Sequence, residues 1–218
     1  MAATAQDLLD QIAAEVRVCT KCDLCKGTKN GVPGEGSASA EVMFIGEGPG
    51  FHEDRQGRPF IGPAGQFLNE LLGSVGLDRS TVFITNVVKH RPPENRDPLP
   101  DEIAACSDYL TRQIAALNPK VIVTLGRFSM ARFFPGAKIS AIHGQAKKVD
   151  GRVVVAMYHP AAALHQQSLR QTVMDDFKRS IPPALAEARR MEAEGALGGK
   201  PEKKDNDEGE PPKQLSLF

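Results

Sequence analysis

The 218-residue chain contains no tryptophan, only two tyrosines and four cysteines, and no excess of charge of either sign. The chain has 27 lysine and arginine residues and 27 aspartate and glutamate residues, so its net charge is zero. This balance argues against binding to nucleic acid or membrane through the overall charge of the protein, but it is compatible with a local basic patch. No apolar run approaches the ~20 residues that a membrane-spanning helix needs. The first residues, MAATAQDLLDQIAAEV, lack the basic start and apolar centre of an export signal. We therefore expect a cytoplasmic protein with no membrane segment.

Two nucleotide-binding signatures are also missing. A glycine-rich turn, GEGPG at 46–50, follows an apolar run, but it matches neither G-x-G-x-x-G nor G-x-x-x-x-G-K-[ST]. Such a turn is typical either of close contact between backbone amides and a phosphate or of an ordinary Gly-Pro turn. Glu47 favours a functional site, because an acid here stands where an active-site residue of a parallel sheet would lie.

The few cysteines are concentrated near the N-terminus. Cys19, Cys22 and Cys25 fall within seven residues, after a short amphipathic helix predicted over 7–17. In a reducing compartment, cysteines are metal ligands or buried apolar residues more often than disulfides. The spacing therefore points to a metal site or to a locally buried cluster.

Apolar, mostly β-branched runs alternate with helix-like stretches along the chain. The predicted strands are 42–45, 82–85, 121–125 and 153–157, and the main predicted helices are 64–75, 100–117, 127–134 and 169–194. Nearly continuous apolar strands that alternate with helices indicate a parallel sheet covered on both faces. We expect an α/β fold: a single three-layer α/β/α domain with a central, mainly parallel four-stranded sheet.

Polar side chains follow three of these strands. Glu47, Asn86 and His159 each come at or just after a strand end, where ligands of parallel sheets bind. An asparagine at such a position reads a base edge or caps a turn. A histidine that precedes a proline donates to a developing anion or is an ordinary surface residue.

Six motifs, taken together in their order along the chain, indicate a protein family more specifically than any one of these residues does. They are GEGPG, ED-x-x-G-RPF-x-G-x-AG, ITNVVK-x-RPP-x-NR-x-P, a cysteine in the next helix, PK-x-IV-x-LG and HPAA. In order and spacing, the chain resembles the family 4 uracil-DNA glycosylases over about residues 8–180. The resemblance implies the uracil-DNA glycosylase fold and a monofunctional enzyme that flips uracil out of DNA, hydrolyses its N-glycosidic bond and leaves an abasic site in base excision repair.

The resemblance also implies a catalytic set. Asn86 would read the polar edge of uracil, and His159 would donate to its O2, where negative charge develops. Glu47 would position or activate the attacking water.

Further substrate contacts follow from the same match. Phe60 would stack on the flipped base, the Gly48 backbone would line the pocket, and Glu53 would help to exclude the methyl group of thymine.

The expected contacts with DNA come from two segments. Lys89, Arg91 and Arg96 lie in the loop after the second strand and would contact phosphates. Leu164 would fill the gap left by the flipped base, although the Leu-Arg pair common in the family is Leu-His here. Arg170 is assigned a phosphate contact.

A 4Fe-4S cluster is a further property that the resemblance implies. Its ligands would be Cys19, Cys22, His90 and Cys106, with His90 standing where the family has a cysteine. Cys25 is the alternative fourth ligand, because C-x-x-C-x-x-C is also a ferredoxin-like spacing. A structural zinc held by the same Cys3His set is the alternative cofactor.

His90 raises a rival function within the superfamily. Covalent uracil-DNA-binding enzymes have a Lys-His pair here and a basic insert, KRRIH, whose histidine traps the sugar, whereas this chain has PPENRDP and no insert. Hydrolysis with turnover is therefore favoured over the alternative, a uracil- or damaged-DNA-binding protein that works without turnover or forms a covalent complex. The pocket of this family needs one chain, so we expect a monomer.

The composition changes near the C-terminus. We expect a glycosylase domain over 1–194 that includes the N-terminal cluster-binding segment, a disordered linker over 195–213, and a terminal peptide over 214–218. The peptide QLSLF resembles those with which bacterial proteins dock on the replication sliding clamp. Its docking residues would be Gln214, Leu215, Leu217 and Phe218. This predicts a bacterial protein that is associated with the nucleoid during repair.

Overall fold

A six-stranded sheet forms the centre of the structure, a computed structural model in which residues 3–195 are described. The strands are β1 (Glu35–Gly36), β2 (Val42–Gly46), β3 (Phe83–Asn86), β4 (Val121–Leu125), β5 (Ala146–Val149) and β6 (Arg152–Met157). Their order across the sheet is β1-β3-β2-β4-β6-β5. The four central strands are parallel, as predicted, and β1 and β5 add antiparallel pairs at the two edges.

The prediction of four strands was wrong in number, because the two edge strands have no apolar run. β1 is two residues long, and β5 has the sequence AKKV with three exposed residues. The parallel strands β2 and β4 are buried at every position, as strands covered on both faces must be.

Eight α-helices surround the sheet in the described part of the chain. They are α1 (Ala5–Arg17), α2 (Phe51–Gln56), α3 (Pro63–Ser74), α4 (Pro100–Leu117), α5 (Arg127–Ala131), α6 (Ile139–Ile142), α7 (Pro160–His165) and α8 (Ser168–Ala193). Short 3-10 turns cover Asp23–Cys25 and Pro93–Asn95. The five predicted helices are present, α5 ends earlier than predicted, and the short helices α2, α6 and α7 were missed.

Successive residues of β2 face opposite sides of the sheet and so join two separate cores. Phe44 packs on one side, where its ring stacks on Phe177 of α8 at 6.1 Å between centroids. Met43 packs on the other side with Leu110 of α4. The result is the predicted three-layer α/β/α arrangement.

Helix α1 fixes the cysteine-bearing segment against α4. Thr4 and Asp7 form a capping box at its start. Ile12 and Val16 pack with Tyr109 of α4 in a small buried cluster. The residues that follow α1, which include Cys19 and Cys22, are thereby held beside this helix.

Within residues 3–195, no helix combines the length and the apolar character required to cross a bilayer. Residues 196–213 of the predicted linker over 195–213, and the docking residues Gln214, Leu215, Leu217 and Phe218, lie outside the described residues.

Candidate active site

A cleft of about 510 Å³ lies where the parallel strands β2, β3 and β6 end. Its walls are formed by the segments after these strands, by α2 and by the start of α3. The lining residues are Glu47, Gly48, Pro49, Gly50, Glu53, Phe60, Ala64, Asn86, Pro92, Asn95, Arg96, Asp97, His159, Ala161 and His165. All six residues predicted to contact or act on the base are among them, so the structure brings together side chains that are up to 112 positions apart.

Asn86 lines this cleft and carries a buried, unpaired acceptor. The side chain is 1% exposed, and its Oδ1 has no hydrogen-bond partner among the described residues. A buried acceptor without a partner costs free energy, so it indicates a position that a ligand donor fills.

The space in front of Asn86 depends on a glycine that sequence reasoning did not single out. Gly46 is opposite Asn86 in the sheet. A Cβ at position 46 would lie 2.4 Å from Asn86 Oδ1 and 2.5 Å from Phe60 Cζ. Any side chain larger than hydrogen at position 46 would therefore fill the space between the amide and the aromatic ring.

His159 is held as a neutral ring with a defined tautomer. The Ala161 N–H donates to His159 Nδ1 at 3.1 Å, so the proton of the neutral imidazole is on Nε2. Burial lowers the pKa of His159 to about 4, and the negative charge of Glu53 only partly opposes this shift. At neutral pH the ring therefore offers an uncharged N–H donor within the cleft.

Phe60 is fixed in a backbone conformation that side-chain-bearing residues rarely adopt. Its φ is 50°, and its ring lies 5.5 Å from the ring of His159. The Arg79 guanidinium donates to the Phe60 carbonyl at 2.9 Å. A Cβ at Gly65 would lie 1.8 Å from the same carbonyl oxygen, so only glycine fits there. The ring is thus held rigidly at one wall of the cleft by residues that the motif pattern did not identify as functional.

Glu53 organises this wall. Its Oε1 accepts from the Ile61 and Gly62 N–H groups at 2.9 and 2.8 Å, and its Oε2 accepts from Gly50 N–H at 3.2 Å. These contacts tie α2 to the segment that carries Phe60. Glu53 therefore positions the segment that carries Phe60. Its second role, to help exclude the methyl group of thymine, stays a prediction.

Glu47 is one of three residues with a carboxyl group that line the cleft, with Glu53 and Asp97. Burial raises the pKa of Glu47, the nearby Asp97 carboxylate raises it further, and the Arg127 guanidinium opposes both. Its side chain accepts no hydrogen bond from within residues 3–195. A carboxylate that is more basic than a surface one, with free oxygens, is suited to hold and activate water.

The predicted phosphate contact of Lys89 is wrong. The side chain is fully buried, and its Nζ donates to Thr85 Oγ1, to the Asn86 carbonyl and to Gln113 Oε1 at 2.7–2.8 Å. Burial lowers the pKa of Lys89 to about 7. Lys89 therefore supports the backbone of Asn86 from inside the protein and has no surface for DNA.

The other predicted DNA-contacting residues are differently placed. Arg96 lines the cleft and forms a bidentate pair with Glu102. Arg91 is half-buried, and Leu164 is 42% exposed on α7. Arg170 lies over the ring of Phe67 and pairs with Glu70 of α3, so its charge is already partnered.

The predicted metal ligands are only partly drawn together. Cys106 is buried and Cys19, Cys22 and Cys25 are half-buried. Burial raises the pKa of the Cys106 thiol, and neighbouring Cys22 and Cys19 add to the shift. Across residues 3–195, no group of three or more His, Cys, Asp or Glu side chains converges as the ligands of one metal ion would.

His90 lies beside the end of α1. It is 5% exposed, and a Cβ at Gly31 would lie 3.1 Å from its Nε2 and 2.3 Å from the Val16 carbonyl oxygen. Burial lowers the pKa of His90, while the Asp54 carboxylate opposes this shift. His90 and Cys25 are the two candidates for the fourth ligand.

Comparison with known proteins gives consistent matches over most of the chain. The family model of the uracil DNA glycosylase superfamily matches residues 33–181. A type-4 uracil-DNA glycosylase of Saccharolobus solfataricus is 49% identical over 192 residues, which cover 83% of this chain and 88% of that protein. The type-4 enzyme of Archaeoglobus fulgidus is 48% identical over 180 residues, covering 78% and 90%. That of Thermotoga maritima is 41% identical over 182 residues, covering 81% and 95%.

Proposed function

Because the chain belongs to the uracil-DNA glycosylase superfamily and is similar over most of its length to type-4 enzymes, we infer that it is a uracil-DNA glycosylase. It hydrolyses the bond between uracil and deoxyribose in DNA and leaves an abasic site. The observation that carries this inference is the unpaired, buried Oδ1 of Asn86, which shares a cleft with the neutral N–H donor of His159.

The amide of Asn86 matches the edge that distinguishes uracil from cytosine. Uracil presents an N3–H donor and an O4 acceptor, which complement the Oδ1 acceptor and the Nδ2 donor of an asparagine. Cytosine presents an N3 acceptor and an N4 donor, so it would place lone pair against lone pair. A buried site built to pair with one pattern rejects the other strongly, because its own groups are then left unpaired.

His159 acts on the leaving group. As the C1′–N1 bond breaks, its electron pair passes to the base, and negative charge develops on O2 of the uracil anion. The Nε2–H of neutral His159 donates to this oxygen. A fixed donor aimed at developing charge contributes a factor of about 10² to 10³ in rate.

Glu47 acts on the water that replaces the base. Its ionised carboxylate holds the water and accepts a proton as the new C1′–O bond forms. The same negative charge stabilises the oxocarbenium-like sugar. Phe60 stacks on the flipped base and fixes it between these groups.

DNA contacts outside the cleft are assigned to residues at its rim. Arg91 has no partner carboxylate within residues 3–195 and is suited to a phosphate, whereas Arg96, in the cleft wall, is paired with Glu102, so a phosphate there competes with that carboxylate. Exposed Leu164 is suited to fill the space left in the base stack.

We propose a 4Fe-4S cluster as a structural cofactor, held by Cys19, Cys22, Cys106 and either His90 or Cys25. The thiols are close enough to shift one another's pKa, yet they do not converge on one point. This donor set suits a cluster better than a single zinc ion, because each ligand of a cluster binds a different iron. The cluster would join the segment after α1 to α4 and to the loop after β3.

The cofactor is tested by metal and sulfide analysis. Protein purified without oxygen should contain about four iron and four acid-labile sulfide per chain, as the composition of a 4Fe-4S cluster requires. One zinc and no sulfide would contradict the cluster. Comparing the iron content of His90→Ser and Cys25→Ser identifies the fourth ligand.

We further propose that the terminal peptide QLSLF docks on the bacterial replication sliding clamp. The support is its sequence, with Gln214, Leu215, Leu217 and Phe218 as the docking residues. Deletion of 214–218 should abolish clamp binding and leave excision from a short oligonucleotide intact. Unchanged clamp affinity after this deletion would refute the docking role. A monomer in the bacterial cytoplasm, associated with the nucleoid during repair, also stays a proposal.

Excision itself is tested with labelled oligonucleotides that contain a single uracil, thymine or cytosine. Hot alkali cleaves DNA at an abasic site, so the uracil strand alone should be cleaved after incubation with the protein. Uncleaved uracil DNA would favour a binding protein. A protein-DNA band that survives denaturing electrophoresis would favour covalent trapping.

A further inference from the structure

Phe51 is an exposed aromatic residue at the edge of the cleft. Within residues 3–195, five large apolar side chains are exposed, and Phe51, at 48%, is the aromatic one. It begins α2 directly after Gly50, which lines the cleft. An exposed phenylalanine here contributes little to the core, and its ring is accessible to a ligand at the edge of the cleft.

Two guanidinium groups lie against this ring. The central carbons of Arg55 and Arg91 are 5.4 and 5.3 Å from the ring centroid, and the His52 ring approaches edge-on at 5.6 Å. Arg91 Nε also donates to Asn95 Oδ1 at 2.7 Å, and Asn95 lines the cleft. Neither Arg55 nor Arg91 forms an ion pair with any residue of the described chain. Two guanidinium groups without a partner carboxylate therefore cover part of the ring, and about half of the Phe51 side chain stays exposed beside them.

We propose that Phe51, Arg55 and Arg91 form a stacking platform for an unpaired base next to the flipped uracil. The aromatic ring and guanidinium planes offer faces for the base, and the two charges complement the phosphates that flank it. This platform rests on the proposed function, because the uracil in the cleft places the neighbouring nucleotide at its rim.

The platform selects for single-stranded or locally opened DNA. A base inside a duplex is already stacked on both faces, whereas an unpaired base has a free face for Phe51. Base–aromatic stacking has an effect that corresponds to about a 5- to 150-fold change in affinity. Phe51 does not line the cleft, so the change should appear in KM.

The test compares single-stranded and duplex uracil oligonucleotides. Phe51→Ala should raise KM for the single strand about 5- to 150-fold and change KM for a fully paired duplex less than threefold. Phe51→Tyr keeps the ring and should behave as the wild type. Leu8→Ala removes an exposed apolar side chain of α1 and serves as the control, with no effect on either substrate.

The positive charge of the platform is tested separately, through the salt dependence of DNA binding. Arg55→Ala should reduce the slope of log affinity against log salt for single-stranded DNA by about 0.7, the value for one lost phosphate contact. A slope equal to that of the wild type would remove Arg55 from the platform.

The outcomes distinguish a failure of the stacking platform from a failure of the proposed function. If the wild-type protein excises uracil and Phe51→Ala matches it on both substrates, the platform is refuted and the proposed function stands. An equal rise in KM on both substrates also refutes it, because a general loss of DNA contact is not base stacking. If the wild-type protein excises no uracil, the proposed function fails first.

Equal melting temperatures of Phe51→Ala and the wild type exclude misfolding as the cause, and Phe51→Tyr gives the same comparison should the alanine variant fold poorly.

Discussion

Replacing Asn86 with alanine should remove most excision activity without destabilising the fold. In the free protein, Asn86 Oδ1 is buried and unpaired, so its loss removes an unfavourable group. In the complex, the same amide makes two hydrogen bonds to uracil. Asn86→Ala should therefore stabilise the free protein and weaken its complex with uracil.

The size of both effects follows from ordinary hydrogen-bond energetics. Two buried hydrogen bonds at about 2 kcal/mol each correspond to about a 10³-fold loss in kcat/KM for uracil. Removing an unpaired buried acceptor relieves about 1 kcal/mol, which corresponds to a rise in melting temperature of about 2–4 °C for a chain of this size. Because Asn86 lines the cleft, we expect water to enter the vacated space from there and the penalty for an empty cavity to be small.

Gln113 provides the matched control. It is also a buried amide, but its Oε1 accepts from Lys89 and Thr85, and its Nε2 donates to the Pro33 carbonyl at 2.6 Å. Gln113→Ala should lower the melting temperature, because it leaves the Lys89 ammonium group short of a partner. Single-turnover excision and thermal unfolding measured on both variants test the argument. If Asn86→Ala melts several degrees lower and still excises uracil, Asn86 is a structural residue and the reasoning fails.

The remaining predictions concern His159, Gly46 and the pH dependence of stability. His159→Ala should lower kcat about 10²- to 10³-fold, and an unchanged kcat would show that His159 is not the donor to the leaving base. Gly46→Ala should abolish excision, because the new Cβ occupies the space between Asn86 and Phe60, and wild-type kinetics for this variant would mean that uracil binds elsewhere. The unfolded chain protonates His159 near its ordinary pKa of 6.5, whereas the folded protein does so only at about 4, so the free energy of unfolding should fall as pH is lowered through this window. Denaturant unfolding at several pH values should show a shallower fall for His159→Ala, and equal slopes would contradict the neutral, buried state of the ring.

The strand-end residues were predictable because they follow long apolar runs. Glu47, Asn86 and His159 come at or after the buried strands β2, β3 and β6, and parallel strands bring their carboxyl ends to one edge. The edge strand β5 was not predictable, because its sequence is polar and its pairing with β6 depends on the sheet already being present.

Lys89 shows why surface exposure was harder to predict. A lysine in a loop next to two basic positions resembles a phosphate contact, and its burial depends on Thr85 and on Gln113, which lies 24 positions away in α4. The support of Phe60 by Arg79 is likewise a long-range contact that no local pattern reveals.

Quantifying both products of the reaction tests the central claim most directly. The protein is incubated with an excess of uracil-containing oligonucleotide. The amounts of free uracil and of abasic sites are then measured per molecule of enzyme. A uracil-DNA glycosylase releases one free uracil for each abasic site and makes many of both per enzyme molecule. Tight binding with no free uracil, or one covalent adduct per enzyme molecule and no further turnover, would contradict the account.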